Sequence, residues 1–414
     1  MANDSITSDW LDAAATGAGM VPAFQPIVSL PEETTVGFEA LARWPELPSC
    51  EPEQVFDHAA ATGALETLDR LCTDAAISMA LSTQLRRGTL LCVNAEPSTR
   101  YDGREGDPVL ARAHDELTLM FEITERSLLA HPHSLIRKVA ALRADGFAIA
   151  LDDVGAHPDS LALLDVIRPD VIKLDLELIQ TQPTYAQART LAAVLAHHER
   201  TDAAILAEGI ETEEHLEQAL AVGATLGQGF RFGHAGPLDR DATASWSPPP
   251  HTKLQDTNTG SPFDRVAGTS PVRTARKQTL TALSRNIESQ AAQADDRPMV
   301  FSALQRDQHF TKATQERYRN LAATCPLVAV FGQNLPPDLG SGVRGVELHP
   351  ADPLCAEWTV IALGPHNATA LIAREHAHEN ARVRRDGDRR FDFVITYDRA
   401  LVTAAARDLL DRMQ

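Results

Sequence analysis

The stretch GFAIALDDVG (146–155) is an apolar run that ends in two adjacent aspartates, Asp152 and Asp153. A short apolar run of this kind is typical of a strand. Seven further stretches share this character: AFQPIVSL (23–30), TVGFEALARW (35–44), LLCVNAEP (90–97), LTLMFEITER (117–126), VIKLDLEL (171–178), AILAEGIE (204–211) and TLGQGF (225–230). Helix-period stretches such as SLIRKVAALRADG (134–146) and TEEHLEQALAVG (212–223) lie between most of them. Alternation of this kind predicts an α/β fold, either a closed barrel or a doubly wound parallel sheet.

The connections between these strands add two expectations. Only four residues separate the first strand from the second, which is too short for a crossover helix, so this pair should be antiparallel. No GxGxxG or GxxxxGK[ST] motif follows any strand, so a glycine loop that cradles a nucleotide is not predicted.

Seven of the eight predicted strands carry a polar residue near their C-terminal end. These residues are Glu39, Asn94, Glu122, Asp152 with Asp153, Lys173, Glu208 and Gln228. Taken singly, each could be a cap or a solvated charge, but in a barrel the strand ends meet at one mouth, where active sites lie. Five carboxylates gathered there would repel one another unless cations neutralised them. Because the donors are oxygens and no thiolate is among them, Mg²⁺ or Mn²⁺ fits better than zinc.

The aspartate pair suggests more than one cation. Adjacent side chains cannot both point inward from a regular strand, but at a strand end Asp152 and Asp153 could flank one metal or bridge two. Two metals could clamp the attacking and leaving oxygens of a phosphodiester displacement. Glu208 is then a candidate for a second-metal ligand or for a general base.

Two basic residues fit the same chemistry. Arg43 shares a strand face with Glu39 and lies nearer the mouth, where it could bind a phosphate or pair with a carboxylate. Lys173 could orient or help to deprotonate a water, or it could serve as a structural counter-charge.

Composition excludes several classes of partner. The chain has 414 residues and a net charge of −19, which argues against binding to nucleic-acid polymers or to an anionic membrane. No run of 18 apolar residues and no secretory signal is apparent. The five cysteines form no CxxC motif, so we expect a protein of the reducing cytoplasm.

One segment divides the chain. WSPPPHTKLQDTNTGSP (246–262) is rich in proline and polar residues and is predicted to be a linker. We therefore expect a flexible leader over 1–20, a barrel over 21–245 and a smaller α+β domain over 263–414. In that last domain, a helix-like stretch over 265–291 should be followed by strands at 297–305, 325–333, 357–364 and 368–375, and a closing helix.

The first region resembles the EAL family of cyclic di-GMP phosphodiesterases over about residues 22–240. The resemblance runs in family order through QPIVSL, EALAR, VNAEP, EITE, the aspartate pair, PDVIKLD, AEGIET and GQGFRFG. It implies a modified TIM barrel with an antiparallel first strand, and hydrolysis of cyclic di-GMP to linear pGpG. A homodimer through the barrel is a further expectation of the family.

The resemblance also implies roles for single residues. Glu39, Asn94, Glu122 and Asp152 would hold one Mg²⁺ or Mn²⁺, and Asp153 and Glu208 would hold a second that shares Asp152. Lys173 would position the attacking water. Gln25 and Arg43 would contact the substrate, Gln228 would lie beside it, and Glu125 and Glu211 would support the site with Gln228.

One loop departs from the family pattern. Where the family usually has FGxGYSS, this chain has VGAHPDS (154–160), so the second glycine is replaced by His157 and the tyrosine by Pro158. This departure keeps open a non-hydrolysing receptor for cyclic di-GMP. A structural protein with a vestigial site is disfavoured, since no metal-ligand position is lost.

The second region resembles the DICT sensory domain. The resemblance rests on PVRTARKQTL, LSRNIE, FTKATQERYRNLA, VAVFGQNLP, EWTVIALGP and FDFVITYDRALV. It implies a regulatory role, with a ligand or partner that it does not name.

Overall fold

The computed structural model describes residues 8–413 except 48–49, 84, 102, 104, 125–130, 157–159, 239–241, 250–259, 307–308 and 377–384. The chain forms two compact units. The first consists of residues 1–157 and 168–251, and the second of residues 158–167 and 252–414.

The strands, numbered in chain order, are β1 (Val21–Ser29), β2 (Thr34–Arg43), β3 (Thr89–Asn94), β4 (Leu117–Thr124), β5 (Ala148–Val154), β6 (Val171–Leu174), β7 (Ala204–Ala207), β8 (Leu226–Gly227), β9 (Arg273–Arg276), β10 (Met299–Arg306), β11 (Val328–Gln333), β12 (Val343–Glu347), β13 (Glu357–Leu363), β14 (Ala368–Glu375) and β15 (Arg390–Thr396). The described helices are α1 (Ser8–Ala15), α2 (Pro52–Thr62), α3 (Leu65–Ser82), α4 (Pro108–Glu116), α5 (Pro132–Ala144), α6 (Leu164–Ile167), α7 (Leu176–Gln180), α8 (Tyr185–Thr201), α9 (Glu213–Ala221), α10 (Pro262–Ala267), α11 (Lys277–Gln293), α12 (Lys312–Ala322) and α13 (Arg399–Leu410).

The first unit is a closed barrel in the order β1 to β8. Strand β1 is antiparallel to both of its neighbours, β2 and β8, while β2 to β8 are mutually parallel. This confirms the predicted α/β barrel with a reversed first strand and excludes the doubly wound alternative. The short 30–33 connection allows no other pairing for the first two strands.

The interior of the barrel is filled by apolar side chains from all eight strands. They include Ile27 on β1, Leu90 on β3, Met120 on β4 and Leu206 on β7, each with an exposure of 0%. Alternate residues of a strand point inward. The residue two positions beyond each buried core residue, toward the C-terminal ends of the strands, therefore also faces the barrel interior.

The stretch expected to be a flexible leader contains an ordered helix. In α1, Ala14 and Ala15 are buried against Trp44, Val55 and other residues near the start of the barrel. Small residues on one face let this helix pack closely, which a count of polar residues does not reveal.

The second unit contains a seven-stranded mixed sheet in the order β12-β11-β10-β13-β14-β15-β9. Strands β10, β11 and β12 are parallel, and the remaining pairs are antiparallel. The sheet packs on helices such as α11 and α12 through a core that includes Leu280, Tyr318 and Leu371. The α+β class is therefore as predicted.

The prediction of a helix over 265–291 is wrong in the middle of that range. Strand β9 (Arg273–Arg276) interrupts it and pairs antiparallel with β15. This strand is at the sheet edge and three of its four residues are exposed, so it lacks the apolar alternation that marks a strand in sequence. Strands β12 and β15 were also not among the predicted strands.

Within the part of the chain that the structure describes, no helix combines the length and apolarity needed to cross a membrane.

We predict that Gly37→Ala destabilises the barrel by about 2 kcal/mol, lowering its melting temperature by about 5 °C. A Cβ at Gly37 would lie 2.2 Å from the carbonyl oxygen of Leu90 on β3, so the two paired strands would have to separate. Gly236→Ala is the matched control, because its Cβ would meet nothing within 4 Å. Equal melting temperatures for the two variants would contradict this account of the β2–β3 contact.

Candidate active site

The polar side chains at the barrel mouth continue the inward-facing rows of the core. Each of them lies two positions after a buried apolar residue in or directly after the same strand: Cys92 and Asn94, Met120 and Glu122, Ala150 and Asp152, Val171 and Lys173, Leu206 and Glu208, Leu226 and Gln228. On the reversed strand β1, Gln25 precedes Ile27 by two residues. Two-residue alternation therefore places these groups in one layer above the apolar core.

Lys173 lies at the centre of this layer, with only 1% of its side chain exposed. Its Nζ atom lies 2.9 Å from Asp152 Oδ1, 2.9 Å from Glu208 Oε1, 3.1 Å from Glu122 Oε2 and 3.6 Å from Glu39 Oε1. Four carboxylates, three on β2, β4 and β5 and one directly after β7, thus share one buried ammonium group.

Hydrogen bonds hold the opposite side of the cluster. The side-chain nitrogen of Gln228 donates to Glu39 Oε2 at 2.5 Å and to Gln25 Oε1 at 3.1 Å. Gln25 in turn donates to the carbonyl oxygen of Gly233 at 3.3 Å. These contacts link β1, β2 and the end of β8, and they fix the orientation of the Glu39 carboxylate.

Burial and crowding shift the ionisation of the cluster. Burial lowers the pKa of Lys173, but the surrounding carboxylates, Asp152 first among them, outweigh this and raise it well above its usual value. Burial would raise the pKa of Glu39, but Lys173 and the hydrogen bond from Gln228 more than offset it, so this pKa is lowered.

The pKa values of two other carboxyl groups, Glu122 and Glu208, are shifted in the opposite direction. Burial, reinforced by the charge of Glu39, raises the pKa of Glu122 well above its usual value, against the attraction of Lys173. Burial also raises the pKa of Glu208 to about 8, with Lys173 opposing the shift and Asp152 adding to it. The mouth therefore has fewer cationic groups than its carboxylates need.

Strand β5 brings its two aspartates to the same place by leaving regular geometry. Its pairing with β6 shifts register between Leu151 and Val154, and Asp153 has a φ of +54°. Carboxylate oxygens of Asp152, Asp153 and Glu208 all lie within 4.8 Å of one another. The bulge thus cancels the alternation that would point adjacent side chains to opposite faces.

The donor set fits a divalent metal ion. Oxygen atoms dominate it, and one of them, Glu122 Oε1, is buried and has no hydrogen-bond partner among the described residues. A buried carboxylate oxygen without a partner is costly, and a cation relieves that cost. The grouping of Asp152, Asp153 and Glu208 offers further ligand atoms to hard cations such as Mg²⁺ or Mn²⁺.

A family model described as the EAL domain matches residues 8–235. The chain belongs to the EAL domain family. A second model, described as the sensory domain in diguanylate cyclases and two-component systems (DICT), matches residues 264–376.

Individual proteins resemble the EAL region. The probable cyclic di-GMP phosphodiesterase PdeG of Escherichia coli K12 is 30% identical over 240 residues, which cover 56% of this chain and 47% of PdeG. The cyclic di-GMP phosphodiesterase RocR of Pseudomonas aeruginosa is 29% identical over 226 residues, covering 52% of this chain and 57% of RocR. The chain thus spans about half the length of these two relatives.

Solved structures are similar to the same region of the chain. The PaMucR phosphodiesterase in complex with c-di-GMP gives a TM-score of 0.47 at 26% identity, covering 55% of this chain and 96% of that one. Klebsiella pneumoniae BlrP1 in a manganese and c-di-GMP complex at pH 9.0 gives a TM-score of 0.46 at 28% identity, covering 53% of this chain and 57% of that one.

Two other residues singled out from the EAL resemblance, Asn94 and Arg43, form no hydrogen bond or ion pair with the described residues of the cluster, although Asn94 pairs in register with Glu122. Asn94 and Arg43 are exposed and line a cavity of about 230 Å³ at the ends of β2 and β3. Arg43 donates to the carbonyl oxygen of Ala42 and forms no ion pair with any described residue. Its guanidinium group is therefore available to an anionic ligand.

Glu211 is not brought to the cluster either. It is exposed, and it precedes Thr212, which caps α9 by accepting from the backbone nitrogen of His215. Glu125 lies outside the described residues, and so do residues 157–159 of the loop that departs from the family pattern.

Sequence reasoning missed a buried network beside the Asn94 strand. Lys138 Nζ on α5 donates to the carbonyl oxygen of Glu96 at 2.6 Å and to Thr99 Oγ1 at 2.9 Å, and lies 3.5 Å from Asp69 Oδ2. Asp69 also accepts from Thr99 and from the backbone of Glu96. This network anchors the chain directly after Asn94. A lysine within the apolar face of a predicted helix was the signal that could have revealed it.

We predict that Lys173→Met destabilises the metal-free protein by about 3–5 kcal/mol, because the carboxylates lose their buried counter-charge. Added Mn²⁺ should restore much of the loss, since a divalent ion can replace the ammonium group. Melting curves with and without Mn²⁺ measure both effects.

Lys138→Met is the matched control for this prediction. It also removes a buried lysine, but among the described residues only the carboxylate of Asp69 lies within 4.0 Å of that ammonium group. The Mn²⁺-induced rise in melting temperature should be larger for Lys173→Met than for Lys138→Met. A rise of the same size in both variants would show that the cluster does not hold the metal.

Proposed function

We propose that the barrel hydrolyses one phosphodiester bond of cyclic di-GMP to give linear pGpG, using Mg²⁺ or Mn²⁺. The observation that carries the proposal is the buried cluster of four carboxylates around Lys173 at the mouth of an EAL-family barrel. The names of two relatives, the probable cyclic di-GMP phosphodiesterase PdeG and the cyclic di-GMP phosphodiesterase RocR, support the same reaction.

The acidic mouth requires cations to accept such a substrate. The chain carries a net charge of −19, and a phosphodiester is itself an anion. Glu39, Asn94, Glu122 and Asp152 would hold one metal ion, and Asp153 and Glu208, with Asp152 shared, would hold the other. The chemistry that such ions supply is neutralisation of charge on the phosphate oxygens and activation of water.

Lys173 and Glu208 suit different roles in the reaction. Lys173 keeps its proton, because the carboxylates hold its pKa well above the usual value. It therefore suits a role as hydrogen-bond donor that orients water and balances charge, rather than a base. Glu208, with a pKa raised to about 8 by burial, suits either a second-metal ligand or a general base.

Groups at the rim would bind the substrate. The guanidinium group of Arg43 is exposed, forms no ion pair with described residues and suits bidentate contact with a phosphate. Gln25 and Gln228 would contact the substrate from the other side of Glu39, to which Gln228 is hydrogen-bonded.

A non-hydrolysing receptor for cyclic di-GMP is the alternative. It is favoured by the replacement of two family positions by His157 and Pro158 in the loop that follows Asp153. The two candidate functions share a binding site and differ in turnover.

We predict that purified full-length protein with Mg²⁺ or Mn²⁺ converts cyclic di-GMP to pGpG. Glu39→Gln should lower kcat by at least about 100-fold, because it removes a carboxylate from the cluster and keeps its shape. Chromatography of the nucleotide products measures both. Glu116→Gln is the control, since that carboxylate is exposed on α4 and pairs with Arg112.

Two other outcomes are informative. Tight binding of cyclic di-GMP by calorimetry without product would select the receptor. Absence of both binding and product with either metal would reject a cyclic di-GMP function.

We further propose that the second unit regulates the barrel. That unit includes residues 158–167, which lie in the chain between β5, which carries Asp152, and β6, which carries Lys173. Within the unit, Asp165 on α6 forms an ion pair with Arg399 on α13. Arg399 also donates to the carbonyl oxygen of Gly364 at 2.9 Å.

We predict that Arg399→Ala lowers kcat for cyclic di-GMP about threefold or more, because it releases the connection between two strands of the site. Arg412→Ala removes another half-buried arginine of the same unit, paired with Asp352, and should leave kcat unchanged. Steady-state kinetics at a temperature where both variants are folded makes the comparison. Equal kcat values for wild type and Arg399→Ala would exclude this route of regulation.

We also propose a cytoplasmic location, supported by the five cysteines, none of which forms a disulfide in the part of the chain that the structure describes. A homodimer through the barrel stays a prediction of the family resemblance.

A further inference from the structure

The second unit contains a cavity of about 320 Å³ between α11, α12 and the sheet. Strands β10, β13 and β15 contribute Gln305, Trp358 and Phe391 to its wall. This volume is at the lower end of the range for small-molecule sites in proteins.

One side of the cavity is aromatic. Trp358 and Phe391 make an edge-to-face contact, with ring centroids 5.9 Å apart and an angle of 78° between the planes. Phe391 is buried in the core, whereas Trp358 is only half-buried. A large ring left partly uncovered against a packed core offers a surface on which a planar group can lie.

Charge at the wall is positive. Arg285 on α11 is exposed and forms no ion pair with any described residue. The other cations of the wall are each held by a carboxylate: Lys277 by Asp386, Arg317 by Glu288 and Arg389 by Glu375. One positive charge therefore remains unbalanced, in a chain whose net charge is −19.

The N-termini of α11 and α12 add partial positive charge at the wall of the cavity. Lys277 is the first residue of α11, and Thr281 follows one turn later. Thr311 caps α12, accepting from the backbone nitrogen of Thr314, and both threonines line the cavity. Helix N-termini carry partial positive charge, so both favour an anion in the space between them.

A strained residue completes the wall. Gln305 has a φ of +68° near the end of β10, where the pairing with β11 shifts register between Ala303 and Arg306. Its side chain is buried and donates to Glu375 at 3.4 Å, and its oxygen accepts no hydrogen bond from the described residues. Backbone strain in a non-glycine residue concentrates at binding sites, where the gain from the ligand offsets it.

We propose that this cavity binds a small organic anion with a planar ring, the ring against Trp358 and the acidic group toward Arg285. The two parts of the ligand follow from the two halves of the wall. An inorganic anion would leave the aromatic half uncovered, and a neutral ring would leave Arg285 without a partner.

The test uses the full chain and 1-naphthoate as the probe, with binding measured by calorimetry. Acetate carries the charge without the ring, and 1-naphthalenemethanol carries the ring without the charge. We expect heat of binding with 1-naphthoate alone. Arg285→Gln should weaken that binding roughly tenfold, and Arg285→Glu should abolish it.

Arg319→Gln and Arg319→Glu are matched controls, since Arg319 is an exposed residue of α12 that does not line the cavity. They should bind 1-naphthoate as the wild type does. Because Arg285 is exposed, its substitution leaves the core of the unit intact, which melting curves can verify.

The proposal is overturned if 1-naphthoate does not bind at millimolar concentration. It is also overturned if the alcohol binds equally well, or if the Arg285 and Arg319 variants lose affinity to the same extent. None of these readouts depends on hydrolysis of cyclic di-GMP, so failure of the proposed barrel activity would leave them unaffected.

Discussion

The barrel mouth depends on one buried ammonium group shared among four carboxylates. Lys173 lies within 3.6 Å of Glu39, Glu122, Asp152 and Glu208, and full ionisation would leave three negative charges uncompensated. Protons reduce this excess, as the raised pKa values of Glu122 and Glu208 indicate. A divalent cation reduces it equally well. Metal ions and protons therefore compete for the same oxygens, which couples metal affinity to pH.

This cluster is a product of the barrel's regular geometry. The same two-residue alternation that packs Met120 and Val171 into the core directs Glu122 and Lys173 into the layer above. For this reason the sequence alone predicted the cluster well. Polar residues that end apolar strands are visible as a pattern, and a closed parallel barrel leaves them one place to meet. The reversed first strand followed from a connection too short to hold a helix.

Features that depend on local irregularity were harder to predict. Asp153 joins Asp152 through a bulge and a φ of +54°, which no periodic pattern signals. Strand β9 has no apolar alternation and is defined by its pairing with β15. The ordered helix α1 and the Lys138 network depend on tertiary contacts with distant residues. Each of these features depends on the residues that pack against the segment. The composition of the segment itself therefore gives little basis for predicting it.

Contacts within the second unit run from the wall of its cavity to Asp165, which lies in the chain between β5 and β6. Trp358, at the wall of the 320 Å³ cavity, belongs to β13, and Gly364 follows the end of that strand. Gly364 accepts a hydrogen bond from Arg399, which also holds Asp165 in the segment 158–167. The proposed ligand cavity and Asp165, which precedes β6, are thus connected through β13 and Arg399.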